Sequence, residues 1–210
     1  MWGWWKLCLI VACSMGPAGV AAQSGTILGT STVPVPGIAG VVVYLVPAAE
    51  TRLPSAPPVS AVVDQRDLRF VPRVIAITPG STVSFPNSDP VMHNVFHPTL
   101  RSGGFDLGTY PPGEERSFTF RHEGAYVIFC HVHPEMVGYV VVIDSPYRAV
   151  TDADGRFRMD NVVPGTYRLR TWHRRLRTHD EVVTIAENAV TAVALKLKRG
   201  SPVEPRSAPP

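Results

Sequence analysis

Hydrophobic and polar positions alternate along much of this chain, and the period is that of extended strands. Residues 125–129 read Ala-Tyr-Val-Ile-Phe, so Tyr126, Ile128 and the following Cys130 share one face of a strand. Residues 138–143 are apolar almost throughout, which is typical of a buried strand. After residue 23 no segment keeps the i, i+3, i+4 spacing of an amphipathic helix. We therefore expect an all-β protein.

The composition agrees with this expectation. The chain has 210 residues, 45% of them hydrophobic, which is enough for one or two cores. Its 21 Pro and 17 Gly favour many short strands and turns over long helices.

The turn between the two strands carries a metal-binding motif. Cys130, His133 and Met136 stand at C-x2-H-x2-M spacing, directly after the alternating strand. A thiolate, an imidazole and a thioether suit copper, and a trigonal His2Cys site with a weak axial Met needs one more imidazole. His93 is the candidate, because it follows a polar loop and leads into another apolar run. The alternative is a buried structural thiol among polar loop histidines.

Over roughly residues 59–145 the chain resembles the cupredoxins, and the short ligand loop is similar to that of the amicyanins. The matching features outside that loop are Phe-x-Pro at 70–72, Pro-Gly-Ser at 79–81, Phe-Pro-Asn at 85–87, His-Asn-Val at 93–95 and an aromatic residue at 126. The resemblance implies a Greek-key β-sandwich that binds one copper ion, Cu(I) or Cu(II), through His93, Cys130, His133 and Met136. It also implies that Asn94 ties the two ligand loops together by hydrogen bonds.

Residues 1–22 have the pattern of a secretory signal peptide. A lysine precedes the apolar run 7–12, and small residues end at Ala22, where we expect cleavage. The protein is therefore expected to be exported, to the periplasm, with no transmembrane segment in the mature chain. The competing interpretation is a lipid anchor on Cys13 in a lipobox-like segment. Cleavage would leave Cys130 as the single cysteine, so no internal disulfide is expected.

The composition changes after residue 145. Residues 146–199 contain T-D-x-D-G-x-F at 151–157 and P-G-x-Y at 164–167, and resemble the carboxypeptidase regulatory-like β-sandwiches. The tandem resembles bacterial secreted proteins labelled methylamine-utilisation-like. Residues 200–210 are rich in proline and are expected to form a disordered tail.

The opening segment, residues 23–58, contains strand-like runs at 26–30 and 38–46. In one interpretation these are the first two strands of the regulatory-like sandwich, and the copper domain is inserted after them. In the other, residues 41–46 are an extra cupredoxin strand.

The net charge changes sign at the same boundary. Residues 23–145 carry seven Lys and Arg against ten Asp and Glu, whereas residues 146–200 carry eleven against six, net charges of −3 and +5. Five arginines cluster in sequence around Trp172 and His173, namely Arg168, Arg170, Arg174, Arg175 and Arg177. They could dock an acidic redox partner or a membrane surface, or they are ordinary solvated residues.

The sequence favours an electron carrier over an enzyme. It has no nucleophile elbow, phosphate-binding loop or paired-carboxylate signature, and no further His-x-His pair to build a trinuclear copper cluster around His131. The remaining histidines are expected at the surface: His97, His122, His173 and His179. We expect a mononuclear type 1 copper protein that exchanges single electrons with protein partners, and nucleic acid is not expected. Copper delivery or storage, or a structural module with a relict site, are the alternatives.

Overall fold

The computed structural model describes residues 24–32, 39–48, 51–98 and 104–205, and every regular element in them is a β-strand. The expected all-β class is therefore confirmed. No helix in these residues is long and apolar enough to cross a membrane. The predicted signal peptide, its cleavage site and Cys13 lie outside the described residues.

The strands are short, as the spacing of proline and glycine predicts. In chain order they are β1 (Gly25–Thr32), β2 (Val42–Pro47), β3 (Ser60–Val62), β4 (Asp64–Arg66), β5 (Arg69–Val71), β6 (Val74–Ile77), β7 (Ser81–Pro86), β8 (His93–His97), β9 (Phe105–Tyr110), β10 (Glu115–Phe120), β11 (Gly124–Phe129), β12 (Val137–Val142), β13 (Arg148–Val150), β14 (Arg156–Val162), β15 (Gly165–Trp172), β16 (Asp180–Ile185) and β17 (Val190–Lys196).

Four of the five sheets lie in a stack of layers. The outer sheet β14-β1-β17 faces the sheet β13-β2-β15-β16, which packs against the five-stranded sheet β6-β12-β11-β8-β9, and the sheet β10-β7-β3 closes the other end. The fifth sheet is the small β4-β5 hairpin. The two middle layers therefore have apolar clusters on both faces.

This double burial explains the two apolar runs in the sequence. In β2, Val43 and Leu45 point into the cluster shared with the outer sheet, while Val42, Tyr44 and Val46 point into the cluster between the sandwiches. β12 divides in the same way between the copper-domain core and the same inter-sandwich cluster. Because successive side chains of a strand point to opposite faces, a strand buried on both sides has no polar positions.

The first two strands share two sheets with the last five. β1 runs antiparallel to β14 and parallel to β17, and β2 lies between β13 and β15. β3 to β12 occupy the chain between β2 and β13 and form the other sheets. This pairing favours an inserted copper domain over an extra cupredoxin strand. The predicted domain boundaries, at residues 23–58, 59–145 and 146–199, remain a proposal.

The described part of the proline-rich tail differs from the expected disorder. The Gly200 amide donates to the carbonyl of Arg175, and the Val203 amide donates to the hydroxyl of Thr178. The Glu204 carboxylate accepts a hydrogen bond from the amide of Ala125. These contacts hold residues 200–205 against both sandwiches, and the rest of the predicted tail lies outside the described residues.

Truncating a side chain in the cluster between the sandwiches is expected to destabilise the whole chain. Val141 is fully buried there, so Val141→Ala should lower the free energy of unfolding by about 2 kcal/mol. Guanidinium denaturation should show a single transition at lower denaturant concentration. The matched control is Val182→Ala at a 65% exposed position, where the change should stay within about 0.5 kcal/mol. An unshifted midpoint for Val141→Ala would contradict tight packing between the two sandwiches.

Candidate metal centre

The metal-binding motif lies on the turn of a hairpin. β11 and β12 run antiparallel with Phe129 opposite Val137, so residues 130–136 form the connection between them. Within it the Met136 amide donates to the His133 carbonyl at 3.0 Å, which tightens the turn. β8 runs antiparallel beside β11, and this pairing brings its first residue, His93, next to the turn.

Two imidazoles and the thiol converge there. The Nδ1 atoms of His93 and His133 are 3.0 Å apart, and Cys130 Sγ lies 3.9 Å from His93 Nδ1. Metal-ligating atoms of all three residues lie within 4.8 Å of one another. His93 is fully buried, Cys130 is 3% exposed, and His133 is partly exposed. One thiol and two imidazole nitrogens facing a common point are a donor set suited to a single soft or borderline metal ion.

Asp89 fixes the orientation of His93, a role that the sequence pattern alone did not predict. Its Oδ2 atom lies 2.7 Å from His93 Nε2, which leaves Nδ1 as the ring atom facing Cys130 and His133. A carboxylate on the outer nitrogen of a ligating histidine fixes its tautomer and raises its basicity. The available signal was an aspartate four residues before the histidine, inside the polar loop.

The environment of Asp89 favours its ionised form. Burial opposes ionisation, but hydrogen bonds from the Leu68 amide, from His93 and from the Asp67 amide together hold the pKa of Asp89 below its ordinary value. The carboxylate therefore joins the turn between β4 and β5 to the imidazole of His93. Three hydrogen bonds, one buried and two partly buried, thus converge on this carboxylate.

Asn94 bridges β8 and the metal-binding turn. Its backbone amide donates to Cys130 Sγ at 3.4 Å, and its Oδ1 atom accepts a hydrogen bond from the amide of His131 at 3.4 Å. Its Nδ2 atom donates to Asp106 Oδ1 at 2.6 Å. The expected tie between the two segments is thus present in the geometry, and its contribution to metal binding remains a proposal.

His131 forms contacts outside the three-donor group. Its ring stacks on Phe96, with centroids 3.6 Å apart and planes 7° apart, and its Nε2 atom lies 3.3 Å from Asp106 Oδ2. The hydrogen bond from the Gly108 amide is the largest influence on the pKa of Asp106 and lowers it. Burial opposes this effect, and Asn94 and His131 lower the pKa further. His131 therefore holds the turn against β8 and β9.

Met136 is 1% exposed and belongs to the apolar core of the copper domain. It also lines a recess of about 180 Å³ together with Phe70 and Arg73. Met136 would supply a thioether to the metal, and this assignment remains a proposal, as do those of the other three predicted ligands.

His97 corrects one sequence expectation. It was expected at the surface but is 6% exposed, with Nδ1 2.8 Å from the Val127 carbonyl oxygen and its ring packed edge-on against Tyr126. It is therefore a buried histidine of the sandwich.

Two protein-family models match parts of the chain. Residues 57–143 match the copper binding proteins of the plastocyanin/azurin family. Residues 139–193 match the model described as polysaccharide lyase family 4, domain II. The resemblance of this second segment to the carboxypeptidase regulatory-like family remains a prediction. No curated protein matches the chain.

Several solved structures are similar to part of the chain. A purple cupredoxin from Nitrosopumilus maritimus is 26% identical with a TM-score of 0.36, and the match covers 39% of this chain and 98% of that one. Amicyanin from Paracoccus versutus is 26% identical with a TM-score of 0.36, over 47% of this chain and 90% of that one. A copper-containing nitrite reductase from Thermus scotoductus is 28% identical with a TM-score of 0.37, over 45% and 24% of the two chains.

The metal of this site is copper. The matched copper-binding segment, residues 57–143, contains His93, Cys130 and His133, whose converging donors fit a type 1 copper site with Met136 nearby. The expected cofactor is therefore confirmed.

Proposed function

We propose that this protein is an exported type 1 copper protein that carries single electrons between protein partners. The observation that carries the proposal is the convergence of His93 Nδ1, His133 Nδ1 and Cys130 Sγ at the end of a rigid hairpin. His93, Cys130, His133 and Met136 are proposed as the ligands. Copper, when bound, supplies a one-electron Cu(II)/Cu(I) couple.

The surrounding contacts favour electron transfer because they fix the donor atoms independently of the metal. Asp89 holds the His93 ring, and the Asn94 amide contacts the Cys130 sulfur. Ligands positioned by buried hydrogen bonds and by strand ends move little when the charge of a bound ion changes. Small movement keeps the reorganisation energy of electron exchange low, whereas a delivery site needs ligands that open.

Part of the exposed edge of the site is apolar. Five hydrophobic residues at this end are between 40% and 50% exposed, and we call them the apolar rim: Leu68, Val71, Val91, Met92 and Val132. Val132 adjoins the partly exposed His133, Met92 adjoins His93, and the amide of Leu68 contacts Asp89. An apolar surface with a ligand histidine inside it suits brief docking of a redox protein, so we propose that electrons pass through His133.

The first test is the visible spectrum of the purified protein after addition of Cu(II). An intense thiolate-to-copper absorption band that bleaches reversibly on reduction is the expected result. A weak band, or release of copper on reduction, would contradict electron transfer. Release would favour copper delivery, and a protein that binds no copper would point to a structural module.

A charge on the apolar rim is expected to slow electron exchange. Val132→Asp places a carboxylate beside His133 without touching the donor atoms, so the copper spectrum should stay unchanged. The rate with a protein electron donor should fall by about three- to tenfold because docking is disturbed. Stopped-flow kinetics at several ionic strengths measure it.

The matched control is Val182→Asp, which introduces the same charge on β16 of the other sandwich, at a 65% exposed position. It should leave the rate near that of the parent. If Val132→Asp and the parent react equally fast at every ionic strength, electrons enter at another surface.

We also propose that the protein is exported. A signal peptide at residues 1–22, cleaved after Ala22, would export the protein to the periplasm, with a lipid on Cys13 as the alternative. Cys130 is the free cysteine of the described residues, and it is buried, which suits a lone thiol in an oxidising compartment. We propose no enzymatic reaction for the site.

A further inference from the structure

A polar pocket opens where the two sandwiches meet, and none of the three donors lines it. It has a volume of about 370 Å³, and its lining residues come from both sandwiches: Ala39, Arg73, Val74, Tyr139, His173, Arg174 and Arg175. Arg73 lies between β5 and β6, and Arg174 and Arg175 lie in the turn between β15 and β16. A backbone hydrogen bond from Tyr139 to the Arg73 carbonyl fixes one wall on β12.

Within the described residues, the three arginines of this pocket have no acidic partner. No carboxylate lines the pocket, and among the described residues none of the three guanidinium groups has a carboxylate oxygen within 4.0 Å. Arg174 donates instead to the neutral hydroxyl of Tyr139 at 2.8 Å. Three positive charges therefore share a concave surface without neutralisation.

The other arginines of the expected cluster behave differently. Arg168 and Arg170 both bind Asp180 at 2.9 Å, and Trp172 is only 3% exposed. The sequence cluster is thus divided into Arg168 and Arg170, which share one carboxylate, Arg174 and Arg175, which line the pocket, and Arg177, which does not. Arg73, Arg174 and Arg175 are exposed, as Arg177 is, but these three line one concave surface and Arg177 does not.

His173 adds a neutral donor to the pocket. Its Nδ1 atom accepts a hydrogen bond from the Arg175 amide at 3.2 Å, so the ring proton belongs on Nε2. Burial, followed by the charges of Arg175 and Arg73, lowers the pKa of His173, which agrees with a neutral ring. The Tyr139 hydroxyl accepts from Arg174, so its own proton remains available to a ligand.

We infer that this pocket is a binding site for a small oxyanion of the phosphate or carboxylate class. Guanidinium groups present paired N–H donors that match two oxygens of such an anion. The His173 ring and the Tyr139 hydroxyl add donors without adding charge. The space suits a small ligand, and the arginines of the two sandwiches would close on it from opposite sides.

The test is anion titration of the copper-loaded full chain at constant ionic strength, with inorganic phosphate in one arm and succinate in the other. Isothermal calorimetry gives the affinity, and amide NMR shifts of residues 173–176 locate the site. We expect saturable binding in at least one arm, weakened about tenfold or more in Arg174→Gln/Arg175→Gln, because each lost guanidinium removes charge-assisted hydrogen bonds. Binding of phosphate alone, or of succinate alone, would assign the class.

The matched control is Arg121→Gln/Arg177→Gln, which removes two exposed arginines outside the pocket and changes the net charge equally. It should retain the parent affinity. Absence of saturable binding in both arms would overturn the inference, and so would an equal loss in the control, since that would report general charge attraction. The copper spectrum should be unchanged in both double variants, so failure here is separate from failure of the proposed electron transfer.

Discussion

Cys130→Ser is expected to abolish the intense visible band of the copper-loaded protein and its rapid redox cycling. The side chains have nearly the same size, but an alcohol does not provide a thiolate donor at neutral pH. The substitution also removes the sulfur that accepts the Asn94 amide at 3.4 Å. Absorption spectroscopy and voltammetry of the Cu(II)-loaded variant measure the loss. The two imidazoles, 3.0 Å apart, should still retain some copper, with only weak visible absorption.

Met92→Leu is the control, since it removes an exposed thioether close to the site but outside the proposed ligand set. It should keep the full band. Unfolding curves of the metal-free proteins show whether Cys130→Ser has disturbed the hairpin. An intense band that survives in Cys130→Ser would remove the thiolate assignment, and with it the proposed function.

Asp89→Asn is expected to weaken copper binding by about 10- to 100-fold, the usual cost of losing the partner that orients a ligating histidine. The carboxylate accepts hydrogen bonds from Asp67, Leu68 and His93 at the same time. An amide has one oxygen, so its NH2 group must face one of these N–H donors. Either the turn between β4 and β5 or the His93 ring then loses its anchor.

Copper competition titrations measure this effect, and ¹⁵N NMR of the metal-free protein reports the tautomer of His93. Asp67→Asn is the control, because Asp67 is exposed, lies in the same turn and has a φ of 54°, a conformation that asparagine tolerates. It should leave both measurements unchanged. If Asp89→Asn lowered thermal stability but changed neither copper affinity nor the tautomer, Asp89 would serve the fold alone.

Much of the candidate site could be predicted because its information is local. Cys130, His133 and Met136 lie within one short turn, and the alternating strand before it fixes which way the thiol points. The role of Asp89 could not be predicted in the same way. Its importance depends on a loop conformation that turns its carboxylate towards His93 and towards two amides more than twenty residues earlier.

In the second sandwich, too, local features could be predicted from the sequence and long-range contacts could not. Its turns at Asp154-Gly155 and Pro164-Gly165 are visible in the sequence, because turn residues act on their own backbone. The pairing of β1 with β17 joins segments more than 150 residues apart, and no local pattern encodes it. The same holds for the pocket of Arg73, Arg174 and Arg175, whose charges belong to opposite halves of the chain.

The sequence by itself determined the all-β class, the motif on the turn and the candidate metal donors, since strand periodicity and ligand spacing are properties of neighbouring residues. Only the tertiary structure shows how the layers stack. Residues 41–46 are apolar on both faces of the strand, because a sheet packs against each face. The tertiary structure also decided which charges are neutralised. Arg170 and Arg174 are four residues apart, yet one binds Asp180 and the other lines a pocket without a carboxylate. Charge pairing depends on distance in space, and the fold sets that distance.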